Sequence, residues 1–406
     1  MAAEPTVLRL TEYERQSTNK VTLRQAGLLR EGYGSYVTVD RSWEELDRFN
    51  LTAGHYIGTI VTDDLRIHIE PKTPITNLFF MLTYAYNLAK FRDAESPLAA
   101  GEDLFEFLLE IFVKQIDELV RQGIFRGYID FEENQPYLRG RLMLAQQLRK
   151  NALQNTRFQQ RTNELTADLP ENWILKFTLW QLSRMGFDNP DLRRRLRRTL
   201  SAFSEVSLTT VGPADCDRIV YTRLNGAYET PINLAKLFLQ HLSLEGREGD
   251  TNFKTYLLPM HQIFELFVGR YLEEHFAAHP RFSVEIQPQL FLDTEQKESG
   301  IPDIVIYKDG RPYLILDTKY KPFRGKPSNE DRNQMFMYCH TMGVRRAILI
   351  YSDPNLDYFT RDYEGMTLAA RSLRLDGDLA TFQERCRVFA EGFAKEIAAE
   401  ESINYV

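Results

Sequence analysis

Two acids and a lysine lie close together in GIPDIVIYKDGRPYLILDTKYK, residues 300–321. Asp309-Gly310 separates two apolar, β-branched runs, which is the pattern of a tight hairpin. Folding about that pair sets Asp303 opposite position 316 or 317, and directly opposed residues on one face hold their Cβ atoms ~5 Å apart. Asp317 and Lys319 share a face because strand side chains alternate with period two. Two neighbouring carboxylates repel and need compensation at neutral pH. A hard divalent cation provides it, and Mg²⁺ takes a few carboxylate oxygens together with water and phosphate oxygens. Such an ion polarises a phosphodiester and lowers the pKa of bound water. Asp303 and Asp317 are then the candidate ligands, with the backbone carbonyl of Thr318 as a further one. Lys319 would stabilise developing charge or position the attacking water. The competing reading is a pair of strand-end acids with Lys319 as their salt-bridge partner. Against it, the strand LILD is apolar enough to be central, where unpaired charge is costly.

Further polar residues stand at useful spacings. Gln334 and Tyr338 are i and i+4 on one helix face, and Ser328-Asn-Glu-Asp331 resembles the capping box that opens that helix. Glu265 lies on an otherwise apolar helix, either as a third carboxylate reaching the metal or as a solvent-facing glutamate. Lys321, Arg324 and Lys326 follow the acid-bearing strand, either to grip DNA phosphates or as an ordinary exposed loop.

The elements that must position these groups come from pattern and punctuation. Residues 1–74 read as β-rich: VTLRQAG, GSYVTVD, HYIGTIVT and LRIHIEP are rich in β-branched and aromatic residues between turn formers, with a short helix at WEELDRF. From Ile75 the period becomes helical, through NLFFMLTYAYNLAKF and EDLFEFLLEIFVKQIDELV. Short strands are expected in 124–142, then helices through LMLAQQLRKNALQ, NWILKFTLWQLSRMG, PDLRRRLRRTLSAF and INLAKLFLQHLS. A Gly- and charge-rich stretch places a boundary near residue 248. Beyond it, a helix (MHQIFELFVGRYLEEHF), the strands FSVEIQPQLF, GIPDIVIY and PYLILDTKY, a helix (NQMFMYCHTM), a strand (RRAILIY) and a final helix give an α/β order. The expected domains are 1–74, 75–248 and 249–406.

Composition bounds the rest. The 406 residues are 43% hydrophobic and 26% charged, as in ordinary globular proteins. No apolar run is long enough for a membrane span, and the N-terminus lacks a secretory signal core. Three widely spaced cysteines show no metal spacing and suit a reducing cytoplasm. The net charge of −7 hides a gradient. Residues 139–200 hold thirteen Lys and Arg against five acids, a local excess of eight positive charges in an acidic chain. That segment reads equally as a phosphate-facing surface or as a solvated helical face. Gly325-Lys326-Pro327-Ser328 lacks the earlier glycine of a P-loop, so no nucleotide is expected to bind through one. No G-x-S-x-G elbow is present.

Pro302-Asp303 with Asp317-Thr318-Lys319 resembles the PD-(D/E)xK nuclease signature. Gln334-x-x-x-Tyr338 is similar to the Q-x-x-x-Y pattern of its RecB-like branch, and Glu265 to a glutamate that many members carry on their first helix. More closely, ILDTKYK at 315–321 resembles the McrC family, the nuclease subunits of McrBC modification-dependent restriction systems. LRIHIEPK (65–72), FFMLTYAYN (79–87), YLRGRL (137–142) and INLAKLFL (232–239) are weaker matches in the same order. The resemblance implies an α+β/α/β multidomain fold. Its N-terminal β-rich and helical region would dock on a partner, and its C-terminal part would be a restriction-endonuclease-like mixed sheet flanked by helices. It also implies one or two Mg²⁺ ions, with Asp303, Asp317, the Thr318 carbonyl and Glu265 as ligands and Lys319, Gln334 and Tyr338 assisting. The implied partners are a McrB-like hexameric AAA+ GTPase, whose hydrolysis this chain would stimulate, and methylated double-stranded DNA. A homodimer is compatible with duplex cleavage. Two other readings stay open: a stand-alone repair or junction nuclease, and a non-catalytic regulator of an AAA+ motor.

Overall fold

The computed structural model describes residues 6–42, 48–62, 64–91, 104–153, 156–185, 189–241, 255–293, 295–356 and 358–403. The chain begins with β1 (Thr6–Thr11), β2 (Arg15–Thr18), α1 (Leu23–Tyr33), β3 (Val37–Arg41), β4 (Phe49–Ala53), β5 (Tyr56–Val61), β6 (Leu65–Glu70) and α2 (Ile75–Ala85). The expected strand VTLRQAG is instead the entry to α1. Thr22 accepts the Gln25 N–H and the Gln25 side chain answers the Thr22 N–H, a reciprocal cap that overrides the local β-branched content. Residues 43–47 of the helix expected at WEELDRF lie outside the described residues, and Phe49 opens β4.

A middle stretch follows: α3 (Leu104–Gln122), β7 (Gly127–Gln135), β8 (Arg141–Leu142), α4 (Leu144–Lys150), β9 (Phe158–Thr166), α5 (Pro170–Ser183), α6 (Pro190–Ser201), α7 (Pro213–Asp217) and α8 (Glu229–His241). β9 pairs antiparallel with all nine residues of β7. FQQRTNELT has no apolar alternation, so only its partner strand makes it a strand. Part of the basic segment is paired: Arg139 with Glu133 and Glu164, Arg161 with Glu132, and Arg195 and Arg198 with Asp117.

The last stretch comprises β10 (Tyr256–Pro259), α9 (Met260–Phe276), β11 (Phe282–Ile286), β12 (Leu290–Phe291), β13 (Ser299–Gly300), β14 (Ile304–Lys308), β15 (Arg311–Lys319), α10 (Asn329–Met342), β16 (Arg346–Tyr351), β17 (Phe359–Tyr363), β18 (Met366–Ser372) and α11 (Leu379–Ile403). Its sheet has the order β11-β14-β15-β16-β18-β17. β14 and β15 are antiparallel, while β15–β16 and β16–β18 are parallel. Leu314, Ile315 and Leu316 alternate between faces yet are all buried, so β15 is covered on both sides.

The molecule divides into two compact units, Met1–Leu104 with Lys254–Val406, and Phe105–Phe253. The sequence placed boundaries at 74 and near 248; the latter lies outside the described residues. The N-terminal stretch is not a separate body because long-range pairing joins it to the C-terminal one. β10 completes the sheet β1-β6-β5-β10 by antiparallel pairing with β5, and Leu257 enters the core of Leu8, Ile60 and Ile67. α2 packs on α9 and α11, with Phe80 edge-on to Phe267 and Phe382, both at 5.9 Å. The buried Asn77 donates to the carbonyls of Leu375 and Gly377 at 2.9 and 3.0 Å.

Candidate active site

The hairpin closes as its sequence requires. Asp309 (φ 49°) and Gly310 (φ 74°) form a two-residue turn with both φ positive, the geometry that matches strand twist. Ile304 faces Leu316, so Asp303, one step beyond, comes to the level of Asp317. Asp303 Oδ2 accepts both the backbone N–H of Thr318 at 2.7 Å and its hydroxyl at 2.8 Å. Asp317 is buried, and Lys319 Nζ stands 2.5 Å from its Oδ2. The contact is a buried ion pair.

α10 supplies the next groups. Ser328 caps it by accepting the Asp331 N–H. The buried Asp331 carboxylate lies 3.3 Å from Lys319 Nζ and 2.9 Å from Lys321 Nζ. Lys319 also donates to Gln334 Oε1 at 3.4 Å, Gln334 Nε2 donates to the Tyr338 hydroxyl at 3.2 Å, and Tyr338 donates to the Ile301 carbonyl at 3.3 Å. This relay joins the end of β15 to the segment just before Asp303. It needs Gly300, where a Cβ would sit 2.6 Å from Tyr338 Cε1.

α9 brings Glu265 within electrostatic reach of Asp303 and Asp317. Its Oε1 accepts from Gln287 Nε2 at 2.6 Å. Gln287 has φ 52° and gives its backbone N–H to the Asp303 carbonyl at 2.8 Å. Sequence reasoning missed Gln287 and Asp331 as parts of this cluster. Asp331 was legible only as a cap residue, and Gln287 carries no local signal beyond ending a strand. Of the three loop cations, Lys321 is bound to Asp331, while Arg324 and Lys326 are exposed.

Burial and mutual repulsion set the protonation of the cluster. Burial, then the Glu265 charge, pushes Asp303 up to about 6. Burial, then Asp303, pushes Asp317 up to about 7. Glu265 is raised by burial and by Asp317. Burial opposes the Lys319 ammonium, but Asp317, Asp331 and Asp303 outweigh it, so its pKa rises and it stays charged. Burial works against Asp331 as well, yet Lys321, Ser328 and Lys319 together hold it low.

Among the described residues no three His, Cys, Asp or Glu side chains converge to hold a metal by themselves; Asp303 is turned to Thr318 and Glu265 to Gln287. The donor set nevertheless suits a hard cation that keeps water ligands. It offers oxygens only, from three carboxyls that each raise a neighbour's pKa.

The sequence profile of the McrBC 5-methylcytosine restriction system component family matches residues 51–352. The chain belongs to that family. As a McrBC component it is 29% identical over 144 residues to the type IV methyl-directed restriction enzyme EcoKMcrBC of Escherichia coli K12. That match spans 34% of this chain and 41% of the relative. The McrBC fold is also seen in a chain of the refined half-complex from the tetradecameric assembly of Thermococcus gammatolerans McrB AAA+ hexamers with bound McrC. There the TM-score is 0.56 at 20% identity, covering 95% of this chain and all of that one.

Proposed function

We propose that this chain is the Mg²⁺-dependent DNA endonuclease subunit of a McrBC-type restriction complex, of the PD-(D/E)xK type. The supporting observation is the buried Asp317–Lys319 pair with Asp303 aligned beside it across the hairpin. A bound Mg²⁺ would polarise the scissile phosphate and acidify a water. Asp303 and Asp317 would hold it, with the Thr318 carbonyl and Glu265 completing the set. Lys319 carries a charged ammonium, so it acts on a phosphate oxygen or orients the attacking water rather than taking a proton. Asp331 and Gln334 hold that ammonium at the strand end, and Tyr338 ties Gln334 to the Asp303 segment. Arg324 and Lys326, exposed on the loop that follows, would meet DNA phosphates.

The family match and the McrB AAA+ hexamers with bound McrC support a wider reading. The chain would dock through its N-terminal region on a McrB-like hexameric AAA+ GTPase, stimulate its GTP hydrolysis and cleave methylated duplex DNA in the cytoplasm. Two copies would supply the two cuts. In the reconstituted complex Asp317→Ala should abolish DNA cleavage and leave GTPase stimulation intact. Retained cleavage by a clean preparation would refute the assignment. Wild-type cleavage with Mg²⁺ alone, without partner or GTP, would point to a stand-alone nuclease.

A further inference from the structure

Tyr320, immediately after Lys319, is held by several contacts. Its hydroxyl donates to Glu12 Oε1 at 2.6 Å. Its carbonyl accepts from the Tyr13 hydroxyl at 2.6 Å. Its ring lies 5.9 Å from that of Phe264, the neighbour of Glu265 on α9. The preceding peptide is fixed as well, since the Lys319 carbonyl accepts the N–H groups of Lys321 and Ser352 at 2.9 and 3.3 Å.

Glu12 is fully buried. Its Oε1 also accepts the Lys72 N–H at 2.8 Å, while Oε2 has no hydrogen-bond partner. A leucine would fill this space without the cost of dehydrating a carboxyl. Tyr13 adopts φ 58°, a conformation seldom held by residues other than glycine. Two adjacent residues at the end of β1 thus accept a desolvated acid and a strained backbone, and both reach Tyr320.

We propose that Glu12, together with Tyr13, is a positioning residue for the acid–lysine site. By locking Tyr320 it fixes the strand end bearing Asp317 and Lys319 against the helix bearing Glu265. The N-terminal strand is then part of what sets the metal-ligand geometry, although it lies some three hundred residues away in the sequence. This rests on reading the cluster as a Mg²⁺ site, and the test separates the two.

Mg²⁺ is titrated calorimetrically into the full-length chain and its variants. Tyr320→Phe and Glu12→Leu should each weaken binding about tenfold, as outer groups around metal ligands do. The double variant should lose less than the product of the two single losses, because both remove the Tyr320–Glu12 hydrogen bond. Glu12→Gln keeps an acceptor oxygen for Tyr320 and Lys72 and should bind like the wild type. Asp317→Ala should give no binding heat. If Asp317→Ala is silent while Tyr320→Phe and Glu12→Leu bind as the wild type does, the positioning role is wrong. Losses that simply multiply in the double variant overturn it equally. Wild-type binding by Asp317→Ala overturns the metal site itself. Should Glu12→Leu fail to fold, Tyr320→Phe, which removes one hydroxyl, carries the test.

Discussion

Asp317 is costly to the fold because it is a buried carboxyl beside another. Its pKa is pushed up to about 7, first by burial and then by Asp303. A carboxyl whose pKa rises on folding binds protons more tightly when folded, so it lowers stability increasingly as pH climbs from its unfolded value through the folded one. Asp317→Asn should therefore raise the melting temperature of the metal-free chain in chelator at about pH 8, while weakening Mg²⁺ binding. A lower melting temperature would mean that the Lys319 pair outweighs the desolvation. His261 gives the opposite pH slope. Burial, then the nearby His55, pushes it down to about 4. Its ring meets that of His55 edge-on at 4.1 Å, and its Nδ1 lacks a hydrogen-bond partner. Between its folded value and the unfolded value of about 6.5 the unfolded chain binds more protons. The contribution of His261 is therefore present above that range and lost as pH falls through it. His261→Gln should lose less melting temperature than the wild type between about pH 7 and about pH 5.

Among the elements, the contact of β5 with β10 depends on a single glycine. Gly58 has φ 128°, and a Cβ there would stand 2.1 Å from the Tyr256 carbonyl oxygen. Gly58→Ala combines backbone strain with a clash that must part the strands, and should cost at least ~1–3 kcal/mol in a urea melt. A smaller loss would show that β10 moves aside cheaply. The β14–β15 hairpin is the contrary case, legible before any coordinates because Asp309-Gly310 suits one turn. β7–β9 shows the limit of such reading, since FQQRTNELT carries no period and depends on its partner for strand geometry.

For the whole molecule, the chain's two ends build one unit. β10 pairs with β5, Phe80 packs on Phe267 and Phe382, Asn77 holds Leu375 and Gly377, and Glu12 and Tyr13 hold Tyr320. A fragment of residues 254–406 would expose that apolar surface and leave Tyr320 without its clamp. It should be insoluble or lack Mg²⁺ binding when expressed alone, and recover both when co-expressed with residues 1–104. A soluble, Mg²⁺-binding fragment on its own would show that the N-terminal strands are dispensable to the site.

Taken alone, the sequence determined the hairpin, the strand carrying Asp317 and Lys319, and the helices bearing Glu265, Gln334 and Tyr338. Each follows from local spacing: a two-residue turn, a period of two, a period of 3.6. Tertiary structure decided which distant groups meet them. Asp331 turns from capping α10 to bridging Lys319 and Lys321. Gln287 joins Asp303 to Glu265, and residues 12–13 close over Tyr320. No local pattern encodes these contacts, because they arise only when strands far apart in sequence are brought together by the burial of a shared core.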